Sequence, residues 1–251
     1  MGEALTAGLV NADWAEIGGI TVVEPIGDRR EALQKTYTGL RVVAEPESSD
    51  DVLLAVKPSN IQDACEELSF CKPKRVISIA AGVTTTTLER LLPPRISVIR
   101  VMPNTPAMIN VGMSVLSAGS YSTDDDLEWV TTIFSAVGKT TIVDEGLLDA
   151  VTGLSGSGPA YVFALAEAMI AAGLNEGLDK DTSELLAIQT ILGAARLMEE
   201  TSETPRELRE AVTSPNGTTA AALSTLEENA FSEIIIGAIS AATSRATELG
   251  S

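Results

Sequence analysis

Apolar residues fall in short, continuous runs over the first 144 positions, separated by stretches of helical or turn character, and the pattern then turns wholly helical. Residues 20–23, 40–43, 52–56, 75–79 and 97–101 read as strands, rich in valine and isoleucine. Their apolar residues are consecutive, as in strands covered on both faces, and connections of helix length make such a sheet parallel. Residues 113–117, a helix near 124–136 and residues 140–143 complete the layer. The prediction is an α/β, doubly wound parallel sheet domain over residues 1–144 followed by an all-α domain over 145–251. Helices are predicted near 146–155, 159–176, 181–201, 205–212, 218–229 and 231–248. The helix at 159–176 is apolar nearly all round. A domain of about a hundred residues can hardly enclose such a helix alone, so it is expected to pack against a second copy of the chain.

Composition sharpens this picture. Apolar residues make up 45% of the 251 and aromatics only 4%, so the cores must be aliphatic. Histidine is absent, which leaves proton transfer to hydroxyls, carboxylates, lysine or water and removes the commonest metal ligand. No metal site is expected. The net charge of −18 argues against nucleic acid or an anionic membrane as partner. The charge is uneven: residues 1–100 hold 11 Lys/Arg and 14 Asp/Glu, whereas residues 101–251 hold 6 and 21. An anionic cofactor should therefore prefer the first part. Cys65 and Cys71 lack metal-ligand spacing and suggest an unbridged protein of a reducing compartment. With no basic segment leading into an apolar one at the start, a cytoplasmic protein is the simplest expectation. The apolar stretch at 159–174, interrupted by Glu167, is expected to be too short to span a bilayer comfortably, with Glu167 a buried, paired carboxylate.

Candidate chemistry concentrates in Val212-Thr213-Ser214-Pro215-Asn216-Gly217-Thr218-Thr219. Pro215 and Asn216-Gly217 force a turn. Thr218 or Thr219 is then expected to cap the following helix, whose first N–H groups would form a seat for a small carboxylate. Read alone, the segment also fits an ordinary corner between two helices. Gly153-Leu154-Ser155-Gly156-Ser157-Gly158-Pro159 looks like a phosphate loop but is followed by no Lys-Ser/Thr pair. Its glycines read mainly as close-packing positions, with direct substrate contact as the alternative.

Together with Val101-Met102-Pro103-Asn104-Thr105-Pro106-Ala107, Leu54-Ala55-Val56-Lys57-Pro58 and Ser78-Ile79-Ala80-Ala81-Gly82-Val83-Thr84, these words occur in an order that closely resembles pyrroline-5-carboxylate reductases. The resemblance runs from Met1 to the C-terminus. It implies a Rossmann-like domain, a helical dimerisation domain giving a homodimer or larger homo-oligomer, and reduction of the C=N bond of 1-pyrroline-5-carboxylate to L-proline. It also implies that N–H groups around Gly217 and Thr218, with the Ser214 hydroxyl, bind the substrate carboxylate. Asn216 stands where the family commonly has glycine, and asparagine tolerates positive φ. Thr219 would bond the ring nitrogen and act as the catalytic residue.

For the cofactor, the resemblance implies NADPH, with NADH possible. Gly2 matches the third glycine of the dinucleotide fingerprint; the first strand and the first two glycines would lie upstream of it. A central strand position is therefore expected to be empty, two strands to lack a ladder partner, and cofactor binding and stability to be reduced. Glu24, ending the second strand of the fold, stands where such domains read the adenosine ribose, and a carboxylate there favours NAD; Arg29 and Arg30 favour NADP. Ala55, Val56, Lys57, Pro58, Ala80, Ala81 and Gly82 follow strands at their carboxyl ends, where ligands bind in open α/β sheets. Asn104 lies between two prolines after the next strand, as a turn residue or as an amide that orients nicotinamide or substrate. Two alternatives stay open: a related imine or hydroxyacid reductase, and a non-catalytic helical scaffold. The hydroxyacid enzymes use a lysine on the long helix, and 159–176 contains none.

Overall fold

Strand β5 (Ser97–Pro103), buried at every position, is the axis of the sheet. In the computed structural model, which describes residues 1–250, it is reached through α1 (Gly2–Asn11), β1 (Thr21–Val23), α2 (Gly27–Thr36), β2 (Arg41–Val43), β3 (Asp51–Leu54), α3 (Ile61–Cys71), β4 (Arg75–Ser78) and α4 (Thr85–Leu91). After it come β6 (Gly112–Ala118), α5 (Asp124–Ser135), β7 (Gly138–Ile142) and α6 (Leu148–Val151). The helical part holds α7 (Gly158–Asn175), α8 (Lys180–Glu200), α9 (Pro205–Ala211), α10 (Thr218–Glu228) and α11 (Phe231–Leu249). By packing, the chain forms two units: Met1–Ser157 together with the stretch from Ser240 onward, and Gly158–Ile239.

Strands β3, β4, β5, β6 and β7 lie side by side in that order. Adjacent residues of each strand face opposite layers. Ile77 and Ile99 pack with Leu5 of α1 and with Val130 and Phe134 of α5. Their neighbours Val76 and Val98 pack on the other face with Cys65 of α3 and Leu88 of α4. Helices thus cover both faces, as the consecutive apolar runs require. Burial pushes the Cys65 thiol up to about 11, so it is a protonated core residue at neutral pH. Both cysteines are free and buried.

Two features depart from a uniform parallel sheet. Strand β6 runs antiparallel to β5, pairing Val101 with Leu116, whereas every other pair is parallel. The link between them holds only the short turn Thr105–Ile109, and a parallel return would need a crossover of about a dozen residues or more. Moreover, β1 and β2 form a separate two-stranded sheet, pairing Thr21 with Arg41. One edge of β1 and one edge of β3 carry no strand partner among the described residues, the arrangement expected of a divided sheet.

Helix α5 shows how local sequence sets an element's start. Thr123 accepts from the Asp126 N–H at 3.2 Å, and the Asp126 carboxylate accepts from the Thr123 N–H at 3.0 Å, a complete capping box. Thr123→Ala is expected to lower stability by about 1 kcal/mol, read as a shift in the urea midpoint with an unchanged m-value.

In the second unit, Asp179 caps α8 by accepting from the Thr182 N–H at 2.9 Å. Gly173 allows close approach of α7 and α8, since a Cβ there would lie 2.7 Å from Ser183 Oγ. No residue of α7 is buried within the single chain, and Phe163 is 61% exposed. Glu167, expected to be buried, is exposed there as well, because the face of α7 that carries it is uncovered in one chain. The helical run Glu145–Asn175 is also longer than predicted, long and apolar enough by length and composition to cross a membrane.

Candidate active site

The first helix begins against the end of β3. A Cβ on Gly2 would lie 3.0 Å from Ala55 Cβ, so glycine lets α1 start this close to the strand end without displacing Ala55. Glu3, in the first turn of α1, lies 4.0 Å from Arg29, and Arg29 Nε lies 3.1 Å from Glu24 Oε2. Glu24 Oε1 accepts from the Ile26 N–H at 3.0 Å. Arg30 turns inward and donates to the carbonyls of Glu24 and Pro25 at 2.8 and 2.7 Å. The predicted residues Gly2, Glu24 and Ala55 are therefore neighbours at the carboxyl ends of β1 and β3. Val56, Lys57 and Pro58 continue from Ala55 as an exposed turn.

After β4, Ala80 and Gly82 are buried and Ala81 half-buried. Gly82 adopts φ +77°, and a Cβ on it would lie 2.9 Å from the Leu249 carbonyl carbon, so both conformation and space require glycine. Backbone rather than side chain lines this loop. Dinucleotide sites use these features: a helix N-terminus at a close strand–helix approach, small residues after the strands, and a carboxylate or an arginine at the end of the strand that reads the ribose.

Asn104 is occupied within the chain. Its Oδ1 accepts from the Met113 N–H at 2.9 Å, and its Nδ2 lies 3.3 Å from both the carbonyl and the hydroxyl of Ser155. It fastens the end of β5 to the start of β6 and to a π-turn at Thr152–Gly156. The glycine-rich word 153–159 carries part of this π-turn, a feature frequent at functional sites, with Gly153 buried in it.

The loop 214–219 belongs to the second unit. Ser214 carbonyl accepts from the Gly217 N–H at 3.0 Å, closing a turn whose third residue, Asn216, has φ +59°. Proline second and a positive φ third are the signature of a type II turn. The predicted cap is displaced by one residue: Gly217, not Thr218 or Thr219, is the N-cap, with no side-chain capping bond. The Gly217 N–H is spent on the turn, so the groups left for an anion are those of the first turn of α10, Thr218, Thr219 and Ala220. Ser214 Oγ sits 2.5 Å from where a Gly217 Cβ would be, over the same turn.

Sequence reasoning missed a buried charged cluster. Arg100 of β5, 3% exposed, faces Glu145 and Asp149 at 3.4 and 3.6 Å. The signal was present as an arginine inside an otherwise apolar strand.

Comparison with known proteins agrees with this geometry. The model for pyrroline-5-carboxylate reductase dimerisation matches residues 145–249, and that for NADP oxidoreductase, coenzyme F420-dependent, matches residues 1–82. A pyrroline-5-carboxylate reductase from Synechocystis sp. is 42% identical over 100% of this chain and 95% of its own length. The structure of a pyrroline-5-carboxylate reductase from Coxiella burnetii superposes with TM-score 0.92 at 36% identity, covering 100% of this chain and 95% of that one. The Plasmodium falciparum pyrroline carboxylate reductase, solved with NADP bound, gives TM-score 0.90 at 28% identity over 100% and 95%. The chain belongs to the pyrroline-5-carboxylate reductase family.

Proposed function

We propose that this chain reduces 1-pyrroline-5-carboxylate to L-proline with NADPH, working as a homo-oligomer in a reducing, cytoplasmic compartment. The observation that carries the reading is the turn at 214–217, which leaves the first N–H groups of α10 open beside two hydroxyls. The substrate carboxylate would be held by the N–H groups of Thr218, Thr219 and Ala220 and by the Ser214 hydroxyl, where the helix dipole favours an anion. Thr219 Oγ1 would bond the ring nitrogen, fixing the C=N plane and favouring the protonated, electrophilic iminium. The Thr219 hydroxyl, with water, would carry the proton to the ring nitrogen.

When bound, NADPH supplies the hydride that the C=N carbon accepts. Gly2, Ala55, Val56, Lys57, Pro58, Ala80, Ala81 and Gly82 would hold it along the carboxyl ends of β3 and β4. Glu24 would accept from a ribose hydroxyl, and its existing pairing with Arg29 and the Ile26 N–H tempers its repulsion of the extra phosphate. Arg29, 58% exposed at its side chain, would then face that phosphate, whereas Arg30 is committed to carbonyls. Arg29→Ala should raise the Kd for NADPH about tenfold and leave that for NADH within about twofold, by equilibrium fluorescence. Equal effects on both would deny Arg29 that role. Asn104, with both ends of its amide engaged, would act by holding the Ser155 turn in place.

Residues 1–144 would carry the cofactor and residues 145–251 the substrate and the subunit contact. The free, buried cysteines support the reducing compartment. Incubation with NADPH and the cyclic imine tests the reading by product: one L-proline per NADPH oxidised is expected, and consumption of NADPH without proline would refute it.

A further inference from the structure

Arg100 is a buried cation that the chemistry above leaves without a task. Its side chain is 3% exposed in the middle of β5, and its Nε and Nη2 make no hydrogen bond. A buried guanidinium in imperfect geometry is weak support for stability, since the desolvation of the charge offsets much of its attraction to a partner. What the cluster holds is therefore more telling than what it contributes. Arg100 Nη1 lies 3.4 Å from Glu145 Oε1. That carboxylate accepts from the Thr85 N–H at 2.7 Å and from the Thr85 hydroxyl at 2.6 Å. Thr85 is the first residue of α4 and ends the loop that begins at Ala80. On the other side, Arg100 Nη2 lies 3.6 Å from Asp149 Oδ1, and Asp149 Oδ2 accepts from the Thr247 hydroxyl at 2.9 Å. Thr247 belongs to the last turns of α11, and the end of that helix closes over the same loop: a Cβ on Gly82 would lie 2.9 Å from the Leu249 carbonyl carbon and 3.1 Å from the Gly250 nitrogen.

We propose that Arg100 is a positioning residue which, through Glu145–Thr85 and Asp149–Thr247, holds the loop 80–85 at its Thr85 end and against the end of α11 at Gly82, and presets it for the nicotinamide cofactor. The proposal rests on the reading of Ala80, Ala81 and Gly82 as cofactor contacts. Its physical content is pre-organisation: a loop already ordered loses less entropy when a ligand lands on it. The C-terminal end of α11 is thereby made part of the cofactor side of the protein, although its side chains touch none of the reacting atoms.

Arg100→Met would leave two half-buried carboxylates without their shared cation and risks misfolding, so the peripheral bonds are the better probes. Thr85→Val removes one hydroxyl bond to Glu145 and keeps the β-branched shape; Thr247→Val does the same at Asp149. In the cofactor-free chain, hydrogen exchange of the amides of 80–84 should speed up about tenfold in either variant. The Kd for NADPH should rise about tenfold, with kcat at saturating NADPH held within about twofold. Thr85→Ser, which restores the hydroxyl, should return both exchange and Kd to the parent values. A lower melting temperature with unchanged Kd would reduce the cluster to a structural tie and overturn the proposal alone. If the parent chain itself binds no NADPH, the cofactor reading of the loop fails and the proposal falls with it.

Discussion

Thr219→Val should lower kcat for 1-pyrroline-5-carboxylate about 10²-fold, the scale of losing one positioned proton-transfer group, while KM changes little. Valine and threonine are both β-branched and nearly equal in volume, so the second position of α10 keeps its shape and helix propensity. The turn before it is fixed elsewhere, by Pro215, the positive φ of Asn216 and the Ser214–Gly217 hydrogen bond. Only the hydroxyl is removed. A fall in kcat at constant KM would mark an interaction made in the transition state, whereas a rise in KM alone would assign Thr219 to carboxylate binding. An unchanged kcat would take it out of the chemistry.

A second large effect is expected at the uncovered face of the helical unit. Phe163 of α7 is 61% exposed, and Leu185 and Ile188 of α8 are 68% and 58% exposed. Apolar surface of this extent is what a subunit interface would cover, and the family model matched over 145–249 is that of a dimerisation domain. In a two-fold interface each substitution is counted twice. Phe163→Glu, at about 2 kcal/mol per copy, should weaken association by roughly a thousandfold and give monomers at micromolar concentration in sedimentation velocity. An unchanged oligomer would place the contact elsewhere.

Where the sequence was legible, the reason was local. Valine- and isoleucine-rich runs at 75–79 and 97–101 became β4 and β5, because a strand buried on both faces admits few residue types. The helices predicted near 124–136, 181–201 and 205–212 start within a residue of the capping residues Thr123, Asp179 and Thr204. Long-range choices were not legible. Nothing in 113–117 states that β6 runs against β5; the short link settles it. The separation of β1–β2 from the larger sheet is a property of pairing, which no single strand encodes. At the loop 214–219 the turn chemistry was readable from Pro215-Asn216-Gly217, but the cap moved to Gly217, which is extended and whose carbonyl accepts the first helical N–H, that of Ala221. Asn104 and Arg100 were visible as residue types, and their partners Met113, Ser155, Glu145 and Asp149 only in three dimensions.

The most direct test is oxidation of NADPH at 340 nm by this chain, with and without 1-pyrroline-5-carboxylate, across a range of protein concentrations. The account predicts turnover that depends on the imine and a specific activity that falls as the oligomer dissociates on dilution. A folded oligomer that binds NADPH yet leaves it unoxidised in the presence of the imine would contradict it.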